Sequence, residues 1–165
     1  MIERKIEIID STLRDGNHTV KNKFCLDDIE KIVKSLDYAG VDYIEVGYGY
    51  GMGSFIQEGY PSDKEMLQRA ISSSSNSKIA ILVFPNKIDL ESYKDLLDFD
   101  IGLVRIAVQA SNVSPSKEYI KLAKEKNIQV GGFMMMASRL DPSEIKEEAI
   151  KLKEYGADTI TITDS

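Results

Sequence analysis

Short apolar and β-branched runs alternate with helically spaced apolar stripes from one end of the chain to the other. The runs Ile6–Asp10, Tyr43–Gly47, Ile79–Phe84, Gly102–Val108, Gln129–Met134 and Thr159–Thr163 are each bounded by turn residues. That is the pattern of strands buried on both faces of a parallel sheet. Between them, Asp27–Ala39 places Ile29, Ile32, Val33 and Leu36 on one stripe and meets a stop at Gly40. Ser62 and Glu65 predict a capping box ahead of Met66, Leu67, Ala70 and Ile71. Asp89 can cap a helix through Leu90, Tyr93, Leu96 and Leu97. Ser114-Pro115 and Asp141-Pro142 each set an N-cap before a proline in the first turn, and the last helix runs through Ile145, Ala149 and Leu152 to Gly156.

This is a βα unit repeated about six times, with no internal linker; the serine-rich patch Ser72–Ser77 reads as a loop between helix and strand. Such a series builds either an open doubly wound sheet or part of an eight-stranded barrel. A complete barrel takes about 250 residues, and this chain has 165. Either way the expectation is an α/β chain, a single domain over residues 1–165; if it is a barrel, it is an incomplete TIM barrel that lacks its last two units.

Composition narrows the function classes. The net charge is −6 and the pI about 4.9, so the basic footprint needed for nucleic acid or an anionic membrane is missing. No window approaches the roughly 20 apolar residues of a membrane span. The opening Met1-Ile2-Glu3-Arg4-Lys5 is not a secretory signal, and the cytoplasm is the expected compartment. Cys25 is the single cysteine, which excludes an intrachain disulfide and a cysteine-based zinc site.

In both architectures chemistry gathers at the C-terminal ends of the strands. After the first strand stands Arg14-Asp15-Gly16-Asn17-His18, with a cation, a carboxylate, a glycine and the chain's one histidine in five residues. A carboxylate suits Mg²⁺ or Mn²⁺, an arginine can hold a developing enolate, and a histidine can move a proton near neutral pH. A turn with an ion pair and a surface histidine would read the same way. Asp10, Glu45 and Arg105 are charges set in otherwise apolar strands. They are expected to point into the barrel and pair there, with Asp164 as a further partner, and a structural network is the simpler reading of Glu45 and Arg105. Gly47-Tyr48-Gly49-Tyr50-Gly51-Met52-Gly53 lacks the spacing of a phosphate loop and is expected to be a flexible loop over the barrel mouth. Met134–Met136 reads as barrel packing, and Cys25 as structural.

Asp10-Ser11-Thr12-Leu13-Arg14-Asp15-Gly16 resembles the opening signature of the metal-dependent TIM-barrel lyases and synthases related to 3-hydroxy-3-methylglutaryl-CoA lyase. Tyr43-Ile44-Glu45-Val46-Gly47 is similar to that family's second strand, and Thr163-Asp164-Ser165 to the turn after its sixth, so the resemblance covers essentially the whole chain. Asn17-His18 is similar to the 4-hydroxy-2-oxovalerate aldolase branch rather than the acyl-CoA-dependent synthases and lyases. The resemblance implies cleavage of a 4-hydroxy-2-oxoacid to pyruvate and an aldehyde. It gives Asp15 to a divalent metal (usually Mn²⁺, alternatively Mg²⁺), Arg14 to the enolate, His18 to the substrate hydroxyl and Ser165 to the pyruvate carboxylate. It also implies an acylating aldehyde dehydrogenase as a partner. Where the branch has His-Gly-Asp-Gly, this chain has Tyr48-Gly49-Tyr50-Gly51, which leaves the aldehyde unassigned. The family completes its metal site with His-x-His on the seventh strand. Without it the expectation is weak metal binding and an inactive chain taken alone, with either a longer natural protein, the favoured reading, or a homodimer covering the open sides. An acyl-CoA-dependent activity or a non-catalytic half-barrel module stands as the alternative.

Overall fold

The computed structural model describes residues 6–55 and 57–164. Six strands alternate with helices: β1 (Ile9–Asp10), α1 (Gly16–Thr19), α2 (Leu26–Ala39), β2 (Tyr43–Glu45), α3 (Asp63–Ser73), β3 (Lys78–Val83), α4 (Leu90–Leu96), β4 (Leu103–Gln109), α5 (Lys117–Glu125), β5 (Gln129–Met135), α6 (Pro142–Tyr155) and β6 (Thr159–Ile162). They pair in chain order, β1-β2-β3-β4-β5-β6, and every pair is parallel.

The helix ends follow from the residues predicted to make them. Ser62 with Glu65 and Asp141 with Glu144 form reciprocal capping boxes, and Asp89 accepts from the Ser92 amide. Gly40 and Gly156 end α2 and α6 in the left-handed conformation, which costs glycine least. Ser114 differs from expectation. It opens a short 3-10 turn, Ser114–Ser116, its amide and hydroxyl both bonded to the Asn112 side chain, and α5 starts only at Lys117. The serine-rich patch is shared: α3 takes residues through Ser73, and the following turn is fixed by Asp37, which accepts from Ser74 Oγ and the amides of Asn76 and Ser77.

The sheet is curled. In a flat sheet, β2 and β5 would lie roughly 14 Å apart, three strand spacings of about 4.8 Å. Yet Tyr43 Oη on β2 donates to Gln129 Oε1 on β5 at 2.7 Å. Likewise Glu45 on β2 reaches Arg105 on β4. Both contacts cross the concave side, so this surface is a barrel interior, and the architecture is an incomplete TIM barrel of six strands. The apolar core lies on the other side, between strands and helices, where Ile44, Val46, Ile81, Val83, Val104, Ile106, Val130 and Met134 are sealed under Val33, Met66, Leu67, Ile120 and Leu152. No helix among the described residues is long and apolar enough to cross a membrane.

Candidate active site

The segment after β1 folds on itself because one carbonyl, Ser11 O, accepts the amides of Arg14, Asp15 and Gly16 at 3.1, 2.8 and 3.3 Å. Asp10 Oδ1 holds the Thr12 amide at 2.9 Å. Leu13 is buried in the core and its carbonyl takes the Gly47 amide, which anchors the turn against the end of β2. The chain then enters the single turn of α1, so Arg14, Asp15 and His18 stand at the C-terminal mouth of the half-barrel.

Arg14 is held from three sides. Its Nε donates to Glu45 Oε2 at 2.7 Å, and its Nη1 to Asp15 Oδ1 at 2.8 Å and to the Gly49 carbonyl at 3.4 Å. Nη2 has no partner among the described residues and is the nitrogen left for another molecule. The other oxygen of Glu45, Oε1, accepts from Arg105 Nη1 at 2.8 Å. Glu45 is fully buried, and a buried carboxylate persists only when charge and hydrogen bonds replace its water. Here two guanidiniums do so, and Arg105 in turn lies 4.5 Å over the ring of Phe133.

The expected charge network is therefore drawn differently. Glu45 and Arg105 do meet inside the half-barrel, but their third member is Arg14. Asp10 spends its carboxylate on the local turn, and Asp164 is exposed and makes no ion pair among the described residues. Asp10 stands in register with Ile44, whose side chain faces the core between strands and helices rather than the concave side, and Asp164 lies exposed beyond the end of β6. Ser165 lies outside the described residues.

His18 is exposed, and its imidazole rests on Gly49. A Cβ at Gly49 would fall 2.5 Å from His18 Cε1 and Nδ1, so any side chain there would evict the ring. Tyr50 meets the same ring edge-on, centroids 4.6 Å apart and planes at 82°. The loop carrying these residues is tied down rather than loose. Asn22 Oδ1 accepts the Gly49 amide, Met52 bridges to β3, Gly53 donates to Asp63, and Tyr48 Oη donates to the Pro61 carbonyl. Gly51, at φ +77°, lies so close to the Leu82 carbonyl that a Cβ would sit 2.3 Å from it.

Asn22 and Asp63 gave no signal in the sequence, and Asn17, noted there beside His18, holds the strand-two end of the site. Asn17 is buried, its Nδ2 donates to the Gly47 carbonyl at 2.9 Å, and its Oδ1 has no partner. Asn22 reaches Gly49 from a left-handed backbone position. Asp63 fixes the far end of the loop, and burial pushes its carboxyl up to about 6, with the Gly53 amide pulling the other way. A separate cavity of about 410 Å³ opens beside Asp63, between Phe55, Tyr60, Lys87, Ile88 and Leu96; Arg14, Asp15 and His18 do not line it.

Asp15 offers a carboxylate to a cation, but among the described residues no three carboxylate, imidazole or thiol groups converge on one point. A divalent ion needs several oxygen or nitrogen donors, so the residues present do not make up a metal site.

A fixed guanidinium, a carboxylate and an imidazole at the mouth of a curled parallel sheet agree with what sequence comparison finds, since the HMGL-like family model matches residues 5–165. The chain belongs to the HMGL-like family. Within that family it is 38% identical over 168 residues to a 4-hydroxy-2-oxovalerate aldolase of Geobacillus genomosp. 3, covering 100% of this chain and 50% of that protein. It is 36% identical to a protein of the same name from Moorella thermoacetica, again over 100% of this chain and 50% of the relative. The chain thus spans about half the length of the curated relatives it matches. Among solved structures, the carboxyl transferase domain of Rhizobium etli pyruvate carboxylase superposes with a TM-score of 0.75 at 16% identity, over 96% of this chain and 30% of that one. This last likeness is one of fold.

Proposed function

We propose that this HMGL-like chain supplies the Arg14–His18 half of an active site that cleaves a 4-hydroxy-2-oxoacid to pyruvate and an aldehyde. The observation that carries the reading is Arg14, whose Nε is locked on the buried Glu45 and whose Nη1 reaches the carbonyl of Gly49, the residue on which the exposed His18 imidazole rests. The 4-hydroxy-2-oxovalerate aldolase relatives, matched over the whole of this chain, support it.

In this reading His18 takes the proton of the C4 hydroxyl. The C4–O electrons form the aldehyde carbonyl, the C3–C4 bond breaks, and its electron pair becomes the enolate of pyruvate. Arg14 faces the enolate oxygen. Its charge cannot be lost, and Glu45 fixes its orientation before the charge develops, so little reorganisation is needed in the transition state. A proton returned to C3 then completes pyruvate. A divalent ion would supply further stabilisation of the oxoacid oxygens when bound. Asp15 is the residue here suited to contact it, although the described residues do not by themselves make up a metal site.

The test is to give the complete gene product 4-hydroxy-2-oxovalerate with Mn²⁺ and follow pyruvate and acetaldehyde. Equimolar release of both is the expected result. No pyruvate, but free thiol from acetyl-CoA and a 2-oxoacid, would replace this reading with an acyl-CoA-dependent synthase.

A further inference from the structure

From the placement of Tyr50 we infer that this residue selects the aldehyde half of the substrate, favouring 4-hydroxy-2-oxoacids whose C4 carries an aromatic or extended apolar group. The inference rests on the aldol cleavage proposed above and adds its substrate class. Arg14 and Tyr50 flank a single point, the contact between His18 and Gly49. Arg14 Nη1 reaches the Gly49 carbonyl, the His18 ring covers the Gly49 Cα, and Tyr50 is the next residue, with its ring edge-on to His18 at 4.6 Å. The carbon whose hydroxyl His18 deprotonates also bears the substituent that leaves as the aldehyde. With the enolate half at Arg14, that substituent extends along the His18 ring towards Tyr50.

Tyr50 is built to receive it. The side chain is 62% exposed, although the loop around it is anchored through Gly49, Met52 and Gly53. An exposed phenol on a fixed loop offers apolar ring area without first having to be ordered, and few conformations are lost when a ligand packs on it. Its neighbours in the chain, Gly49 and Gly51, carry no side chains.

The complete gene product is assayed with 4-hydroxy-2-oxovalerate and with 4-hydroxy-2-oxo-4-phenylbutanoate, which cleave to pyruvate with acetaldehyde or benzaldehyde. For the Tyr50→Ala enzyme the ratio of kcat/KM for the phenyl substrate to that for the methyl substrate is expected to fall about tenfold, mostly through KM. Tyr50→Phe keeps the ring and is expected to keep the ratio, which separates packing from a hydroxyl contact. Pyruvate released from both substrates, with a ratio unchanged in Tyr50→Ala, would overturn the inference and leave the proposed reaction standing. Pyruvate released from neither would overturn the reaction and the inference together.

Discussion

Glu45 is the residue on which the site's geometry turns, because its two oxygens hold Arg14 and Arg105 apart and in place. Removing a partner from a buried ion pair leaves charge without water, at a cost of about 3–5 kcal/mol. Glu45→Ala, which strands two guanidiniums, is expected to lose about 3 kcal/mol in urea denaturation. A midpoint equal to the parent's would mean that the guanidiniums find other partners. Asp63 carries the opposite penalty. Burial pushes its carboxyl from 3.8 to about 6, so between those pH values the folded chain binds the proton more tightly than the unfolded one. Its contribution to stability therefore falls as pH rises through that window. Asp63→Asn is expected to be more stable than the parent at pH 7 and to lose this part of the pH slope. Identical slopes between pH 4 and 6 in both proteins would contradict the assignment.

The elements follow from local chemistry wherever a cap or an apolar stripe decides the matter. Ser62→Ala at the start of α3 removes a cap that bonds the Glu65 amide and is expected to cost about 1 kcal/mol, measured by thermal or urea melting. All six strands were legible because each is an apolar run between turn residues, but their ends were not. Pairing reaches only Ile9–Asp10 in β1, where Ile6 and Ile8 lie exposed on the edge of the sheet. The start of α5 was misplaced for a different reason. Asn112 captures Ser114 and turns a promising cap into part of a 3-10 turn, a side-chain competition that a proline at the next position cannot reveal. Asp37 was equally silent in sequence, yet four donors from the turn after α3 hold its carboxyl far below the usual range. That stabilisation is present above the ordinary carboxylate pKa and is lost in strong acid.

At the level of the whole molecule, curvature decides what the sequence left open. Arg14, Asp15 and His18 were visible as candidates because they are nearly contiguous, and Glu45 and Arg105 because charge is rare in an apolar strand. That Arg14 joins Glu45 and Arg105 depends on a sheet curled enough to bring β1, β2 and β4 to one place, which no local pattern encodes. Gly49 and Tyr50 come to lie beside His18 because the segments that carry them follow the neighbouring strands β1 and β2. The proposed cleavage then makes two side chains of one loop act on the two halves of a substrate, and His18, the chain's single histidine, is the point where it can fail. The decisive measurement is pyruvate release from 4-hydroxy-2-oxovalerate by the complete gene product, with and without His18→Ala, at matched folding by circular dichroism. General-base catalysis contributes about 10²–10⁴-fold, so kcat in His18→Ala is expected to fall by that order. Pyruvate release at the parent's rate in His18→Ala would contradict the proposed role of the Arg14–His18 segment.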